Sequence, residues 1–298
     1  MTLTAELVAD TRCAVGESPV WDQRDQRLYW VDIDGATIYR LERDGSIRTW
    51  RMLEKVGCIA PHAAGGWIAA MQSTVRRVHL HDDGRCDDEI LVHVAHPTSP
   101  MRFNDGRCDR QGRFWVGSMF EDTQAGNASG RLYQYTGAKG LQFSGIDGLI
   151  VTNGLAWSPD GRTMYLADAW RGSRLIWAFD YDTTTGTPSN RRIFVDMHRH
   201  VGRPDGAAVD AEGCYWICSA DGGCVQRFDP GGHLVGRVDV PVKKPTMAAF
   251  GGPNLDTMYI TSIRPKNIDL RDQPLAGGLF VARPGVTGLP EPAFDPAA

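Results

Sequence analysis

The sequence contains no apolar run approaching the roughly 18 residues that a membrane helix needs, so no membrane association is expected. It lacks a basic excess as well. Thirty-two Lys and Arg stand against 36 Asp and Glu, for a formal net charge of −4, which gives little hold on a nucleic-acid backbone. The N-terminus has no basic start and carries Glu6 and Asp10, so it does not read as a secretory signal. The seven cysteines form an odd set without a Cys-x-x-Cys pair. Reduced thiols in the cytoplasm are expected rather than a disulfide framework. A Gly-x-Ser-x-Gly elbow, a Gly-rich dinucleotide fingerprint and a phosphate-binding loop are also missing, which argues against three common enzyme classes. Nothing points to a required protein partner.

Two patterns look like metal motifs by eye. Cys214, Cys218 and Cys224 lie close together, but the even spacing of the first two places them on one face of an extended strand, where buried thiols are ordinary. His79/His81 and His198/His200 are His-x-His pairs in polar, turn-like stretches, where solvated side chains are the plain reading.

What is present is a repeat. An apolar, aromatic run recurs around Trp30, Trp67, Trp115, Tyr165, Trp216 and Tyr259, at spacings of roughly 37 to 51 residues, the period of a propeller blade. A second run follows each first one, as in Ala36 to Arg40, Arg174 to Ala178 and Gly278 to Ala282. Turn pairs such as Asp34-Gly35, Asp83-Gly84 and Asp221-Gly222 punctuate the runs, with the chemistry of tight hairpins. A third run rich in small residues precedes each pair, for example Gly57 to Ala60 and Gly206 to Val209, which suits a crowded axis. Helical periodicity is weak throughout and no linker is evident. The expectation is an all-β fold: one six-bladed β-propeller domain over residues 1–298, with four-stranded antiparallel blades around a central channel and an irregular tail after about residue 284.

Counting back roughly 11 to 13 positions from each marker aromatic reaches Glu17, Val56, Asn104, Asn153, Asp205 and Met247 or its neighbour Thr246. Successive blades repeat about one axis, so these positions line one rim of the channel. Two carboxylates and two carboxamides, Glu17, Asp205, Asn104 and Asn153, then converge without Cys or His. Such a donor set suits one divalent cation; calcium, magnesium and manganese fit, and zinc or iron(II) also accept oxygen ligands.

The segments Gly16-Glu17-Ser18-Pro19-Val20-Trp21, Arg102-Phe103-Asn104-Asp105-Gly106, Thr152-Asn153-Gly154, Pro204-Asp205-Gly206 and Phe250-Gly251-Gly252 occur in this order. Together they resemble the gluconolactonase/regucalcin family, also called senescence marker protein, over nearly the whole chain. The resemblance implies a six-bladed propeller. It also implies metal ligands at Glu17, Asn153 and Asp205, with Asn104 close to the ion directly or through water. Arg102, Asn104 and Glu121 are implied to hold the hydroxyls of a sugar substrate.

The expected activity is metal-dependent hydrolysis of a sugar lactone to the aldonic acid, with Asp205 as general base within reach of the attacking water. Hydrolysis of another ester, such as a phosphotriester, is an alternative within the same chemistry. A calcium-binding or scaffold propeller without activity is the other. Loops near Ala125 to Ser129 and His198 to Arg203 are expected to set which lactone fits.

Overall fold

A computed structural model describes residues 3–298. Six antiparallel sheets of four sequential strands follow one another, spanning 16–51, 56–93, 101–143, 152–196 and 203–239, with the last built from 245–282 and the N-terminal strand Glu6–Ala9. Glu6 pairs with Val281 and Leu7 with Phe280, so the two ends of the chain lock the last blade. The fifth sheet carries one additional strand, because Leu3–Thr4 pairs in parallel with its outer edge. Two single-turn 3-10 segments, Thr123–Ala125 and Met197–Arg199, interrupt the β structure. The chain is a six-bladed β-propeller.

All six marker aromatics lie on second strands, and every small-residue run lies on an inner strand. The inner strands Gly16–Asp22, Val56–Pro61, Met101–Cys108, Thr152–Trp157, Arg203–Val209 and Pro245–Gly251 are almost wholly buried. Each packs on the next, and the sixth packs on the first. Crowding at this ring explains the small residues. A Cβ on Gly206 would come within 2.5 Å of the Met247 side chain on the next blade.

The core is divided among the seams between blades. Apolar clusters fill the seams; Val20, Trp50, Ile59 and Trp67 join the first two blades, and Trp115, Leu155, Trp157 and Leu166 the third and fourth. Five marker aromatics touch a ring on a neighbouring blade: Trp67 on Tyr29, Trp115 on Trp157, Tyr165 on Tyr215, Trp216 on Phe250 and Tyr259 on Trp21. Fully buried side chains such as Leu166, Phe228 and Phe280 each contribute about 1.5–3 kcal/mol by leaving water. Outer strands are exposed and hold little of this core.

Residues beyond 284 form no strand, yet they pack closely. They cross the face opposite the channel mouth, where the Thr287 carbonyl accepts from Ala211, Gly288 donates to Leu255 and Phe294 donates to Pro61. Phe294 is buried against His62 and Tyr135. Glu291 pairs with Arg107 of the third inner strand at 3.4 Å, and with Pro292 it borders a small gap beside Ser18 and Ile59.

Candidate functional site

Every inner strand breaks register with its second strand at the same place. The breaks fall between Glu17 and Val20, Val56 and Cys58, Phe103 and Gly106, Asn153 and Ala156, Pro204 and Ala207, and Pro245 and Ala248. A bulge frees side chains from the alternation of a regular ladder and re-aims them. The repeat thus places Glu17, Asn104, Asn153 and Asp205 at the bulges of four blades, at one end of the channel. Their exposures are 6%, 6%, 2% and 8%, so all four are desolvated.

The two carboxamides are in contact. Asn104 Nδ2 donates to Asn153 Oδ1 at 3.2 Å and to the Thr152 carbonyl at 2.8 Å. Arg102 Nη1 donates to Asn104 Oδ1 at 2.6 Å and to the Phe103 carbonyl at 2.8 Å. The Asn104 oxygen therefore faces a guanidinium, which suits an orienting role better than direct ligation. Gly154 follows Asn153 with φ +65°, and a Cβ there would meet the Tyr215 hydroxyl at 2.6 Å. Only glycine tolerates both conditions.

The carboxylates are electrostatically frustrated. Burial lifts Glu17 well above the usual carboxyl range, and the charges of Asp205 and Asp105 lift it further; the Ser18 amide and Arg102 oppose them. Asp205 is pushed up to about 7 by burial, with Arg203 and Lys244 pulling down and Asp105 and Asp221 pushing up. Arg203 and Lys244 make their ion pairs with Asp221, not with Asp205. Two desolvated carboxylates held together without a paired cation, beside an amide oxygen, fit a hard divalent ion. Among the described residues no three His, Cys, Asp or Glu side chains gather as a metal cluster. At the rim, two of the four candidate side chains are carboxamides.

Arg102 feels the charges of Asp34, Glu121, Glu17 and Asp205, while burial acts to lower its pKa. Glu121 lies on the rim side of the third blade and is held from the second. Lys55 Nζ is 3.0 Å from Glu121 Oε2, and Gln72 Nε2 donates to Oε1 at 3.3 Å. Lys55 also pairs with Asp34 at 3.3 Å. Lys55 and Gln72 belong to no sequence motif, and Asp34 was legible only as part of the turn pair Asp34-Gly35. The sequence reading missed Asp105, whose Oδ2 accepts from the Leu155 amide at 2.9 Å and ties the third blade to the fourth. Adjacency to Asn104 was the available signal.

The other metal-like patterns lie elsewhere. His79 is on the third strand of its blade rather than in a loop. His81 pairs with Asp87, and His198 with Asp196, at the outer edges. Cys214 precedes the strand that starts at Tyr215, and all seven thiols are free. Burial and the charges of Asp205 and Glu17 push the Cys218 thiol well up.

Close in sequence to Asn153 and Asp205 lies a cleft of about 550 Å³, bounded by the 3-10 turn at Thr123 and Gln124, by Trp170 and by Gly202 and Arg203. These fall on, or next to, the two loops expected to shape substrate choice.

Comparison with known proteins matches this architecture. The SMP-30/gluconolactonase/LRE-like region model covers residues 15–264. The 6-deoxy-6-sulfogluconolactonase of Pseudomonas putida is 37% identical over 300 residues, 99% of either chain. The L-arabinolactonase of Azospirillum brasilense is 35% identical over 294 residues, 97% of this chain and 95% of the other. A solved structure of a luciferin-regenerating enzyme superposes with a TM-score of 0.90 at 27% identity, covering 98% of this chain and 99% of the other. The chain belongs to the SMP-30/gluconolactonase/LRE-like family.

Proposed function

We propose that this family member hydrolyses a sugar lactone at the rim of its channel, with one divalent cation held by Glu17, Asn153 and Asp205. The observation that supports this reading is the burial of two carboxylates and two carboxamides at the register breaks of four inner strands, with Asn104 bonded to Asn153 and Glu17 within the field of Asp205. The lactonase names of the relatives from Pseudomonas putida and Azospirillum brasilense support the substrate class.

When bound, a divalent cation supplies polarisation of the lactone carbonyl and acidification of water. The remaining roles belong to the chain. Asp205 takes the proton of the attacking water, a role that requires it to lie within hydrogen-bond reach of that water. Water adds to the carbonyl carbon, the ring C–O bond breaks, and the departing alkoxide takes a proton to become a hydroxyl. The acid formed then releases its own proton to solvent. Asn104, fixed by Arg102 and Thr152, orients the amide oxygen of Asn153. Arg102 and Glu121 bind substrate hydroxyls, and Lys55 with Gln72 keeps the Glu121 carboxylate in place. The free thiols suit a reducing compartment, and the cytoplasm is the proposed location.

The test is acid release in a pH-stat across pentono- and hexonolactones. Asp205→Ala and Glu17→Ala should each lower kcat/KM by about 10³-fold or more while circular dichroism shows an intact β fold. Full activity of Asp205→Ala removes Asp205 from the mechanism. Turnover of a model phosphotriester, with none of any lactone, replaces the reading with the other ester chemistry.

A further inference from the structure

The cleft beside the axial site is more cationic than a neutral sugar needs. Arg171, Arg174, Arg203 and Lys244 line it, and Asp221 is the one carboxylate among its lining residues. Asp221 is shared: Arg203 Nε lies 2.8 Å from it, and Lys244 pairs with its other oxygen. Arg171 and Arg174 have no carboxylate partner among the described residues; Arg171 contacts the Gln124 side-chain oxygen, and Arg174 contacts the carbonyls of His200 and Gly202. The chain as a whole is acidic, so this concentration of positive charge runs against the general balance.

Arg174 carries two further marks. Its backbone sits at φ +49°, in the left-handed region that L-residues with a Cβ seldom adopt, at a cost of about 1–3 kcal/mol. Its Nε is buried and makes no hydrogen bond. With carbonyls and no carboxylate against it, the guanidinium keeps a positive charge that an incoming oxyanion can neutralise. The cleft also lies near the reacting end. Val151 lines it two residues before Asn153, Arg203 lines it two residues before Asp205, and the charges of Arg203 and Lys244 reach Asp205.

We infer that the cleft formed by Arg171, Arg174, Arg203 and Lys244 is a subsite for an anionic group, a sulfonate, phosphate or carboxylate, carried on the substrate away from its lactone carbonyl. This rests on the lactonase reading for its orientation, with the carbonyl at the axis and the anion in the cleft. Planar guanidinium forks match such oxyanions in two-point contacts, and a partly enclosed cleft screens the attraction less than open solvent does.

The experiment compares D-glucono-1,5-lactone with its 6-phospho and 6-deoxy-6-sulfo forms, using the purified full chain and the double variant Arg171→Gln/Arg174→Gln. The parent should favour the anionic lactones in kcat/KM by about tenfold or more at low salt, with the preference shrinking as NaCl is added. The double variant should lose most of that ratio, chiefly through KM, and Arg174→Lys should recover part of it. Equal ratios in parent and variant, or a parent preference for the neutral lactone, overturn the subsite. If no lactone is hydrolysed, the lactonase reading fails separately. The subsite is then decided by calorimetric binding of 6-phosphogluconate against gluconate. Tighter binding of the phosphate form that the double variant loses supports it, and equal binding overturns it. If the double variant fails to fold, the exposed single change Arg171→Gln gives the same readout.

Discussion

Asn104 Nδ2 donates to Asn153 Oδ1 at 3.2 Å, so two carboxamides at equivalent positions of adjacent blades are joined at the channel rim. That contact makes one amide a candidate cation ligand and the other its orienting partner. Asn153→Ala should therefore weaken divalent-ion binding about 10²-fold or more, whereas Asn104→Ala should weaken it about tenfold, in the range of other outer-shell changes. Calorimetric titration of the chelated protein with calcium and manganese checks this. A reversed order would make Asn104 the ligand.

The raised carboxyl pKa values have a consequence for the cation-free protein. Asp205 moves from an ordinary 3.8 to about 7, and Glu17 moves in the same direction. The folded state then holds protons that the unfolded state has released. Stability from this source is full below pH 4 and is lost as pH rises to about 7, by a few kcal/mol. The Tm of chelated protein should fall between pH 5 and 8, and Asp205→Asn should flatten the curve. A Tm that climbs across this window in the parent, or an unchanged slope in the variant, contradicts the electrostatic picture.

Phe294 tests the packing of the tail. It is 2% exposed and sits against His62 and Tyr135, with its amide bonded to Pro61. Phe294→Ala should cost about 3–5 kcal/mol, read from urea unfolding. A loss below about 1 kcal/mol would mean that the tail merely lies on the surface.

Gly154 tests the bulge beside Asn153. With φ +65° and the Tyr215 hydroxyl 2.6 Å from the position of a Cβ, Gly154→Ala should destabilise the protein by about 1–3 kcal/mol. It should also weaken metal binding, because Asn153 moves with it. Wild-type metal affinity in this variant would separate the bulge from the site.

The legible part of the fold was the part that alternates and turns tightly. Aromatic second strands such as Phe114–Phe120 and small-residue inner strands such as Arg203–Val209 recur with the blade period, so the number of blades and the four rim positions could be counted. Outer strands could not. Cys86–His93 and Thr187–Asp196 are largely exposed and polar, because the outer edge of a blade packs on little. Closure of the ring by Glu6–Ala9 on Leu279–Ala282 joins the two ends of the chain, and no local pattern marks it. The same holds for Lys55 and Gln72 around Glu121, and for the cations of the cleft, which come from the fourth, fifth and sixth blades. A repeat announces what every blade shares; side chains that one blade contributes alone carry no period.

The most direct measurement is the rate of acid release from a panel of pentono- and hexonolactones, before and after a chelator strips divalent ions, with each ion then added back singly. Turnover that vanishes on chelation and returns with a divalent cation, in the parent but not in Glu17→Ala, is the predicted result. Turnover indifferent to the chelator, or equally restored in Glu17→Ala, would mean that the two buried carboxylates do not meet around a cation.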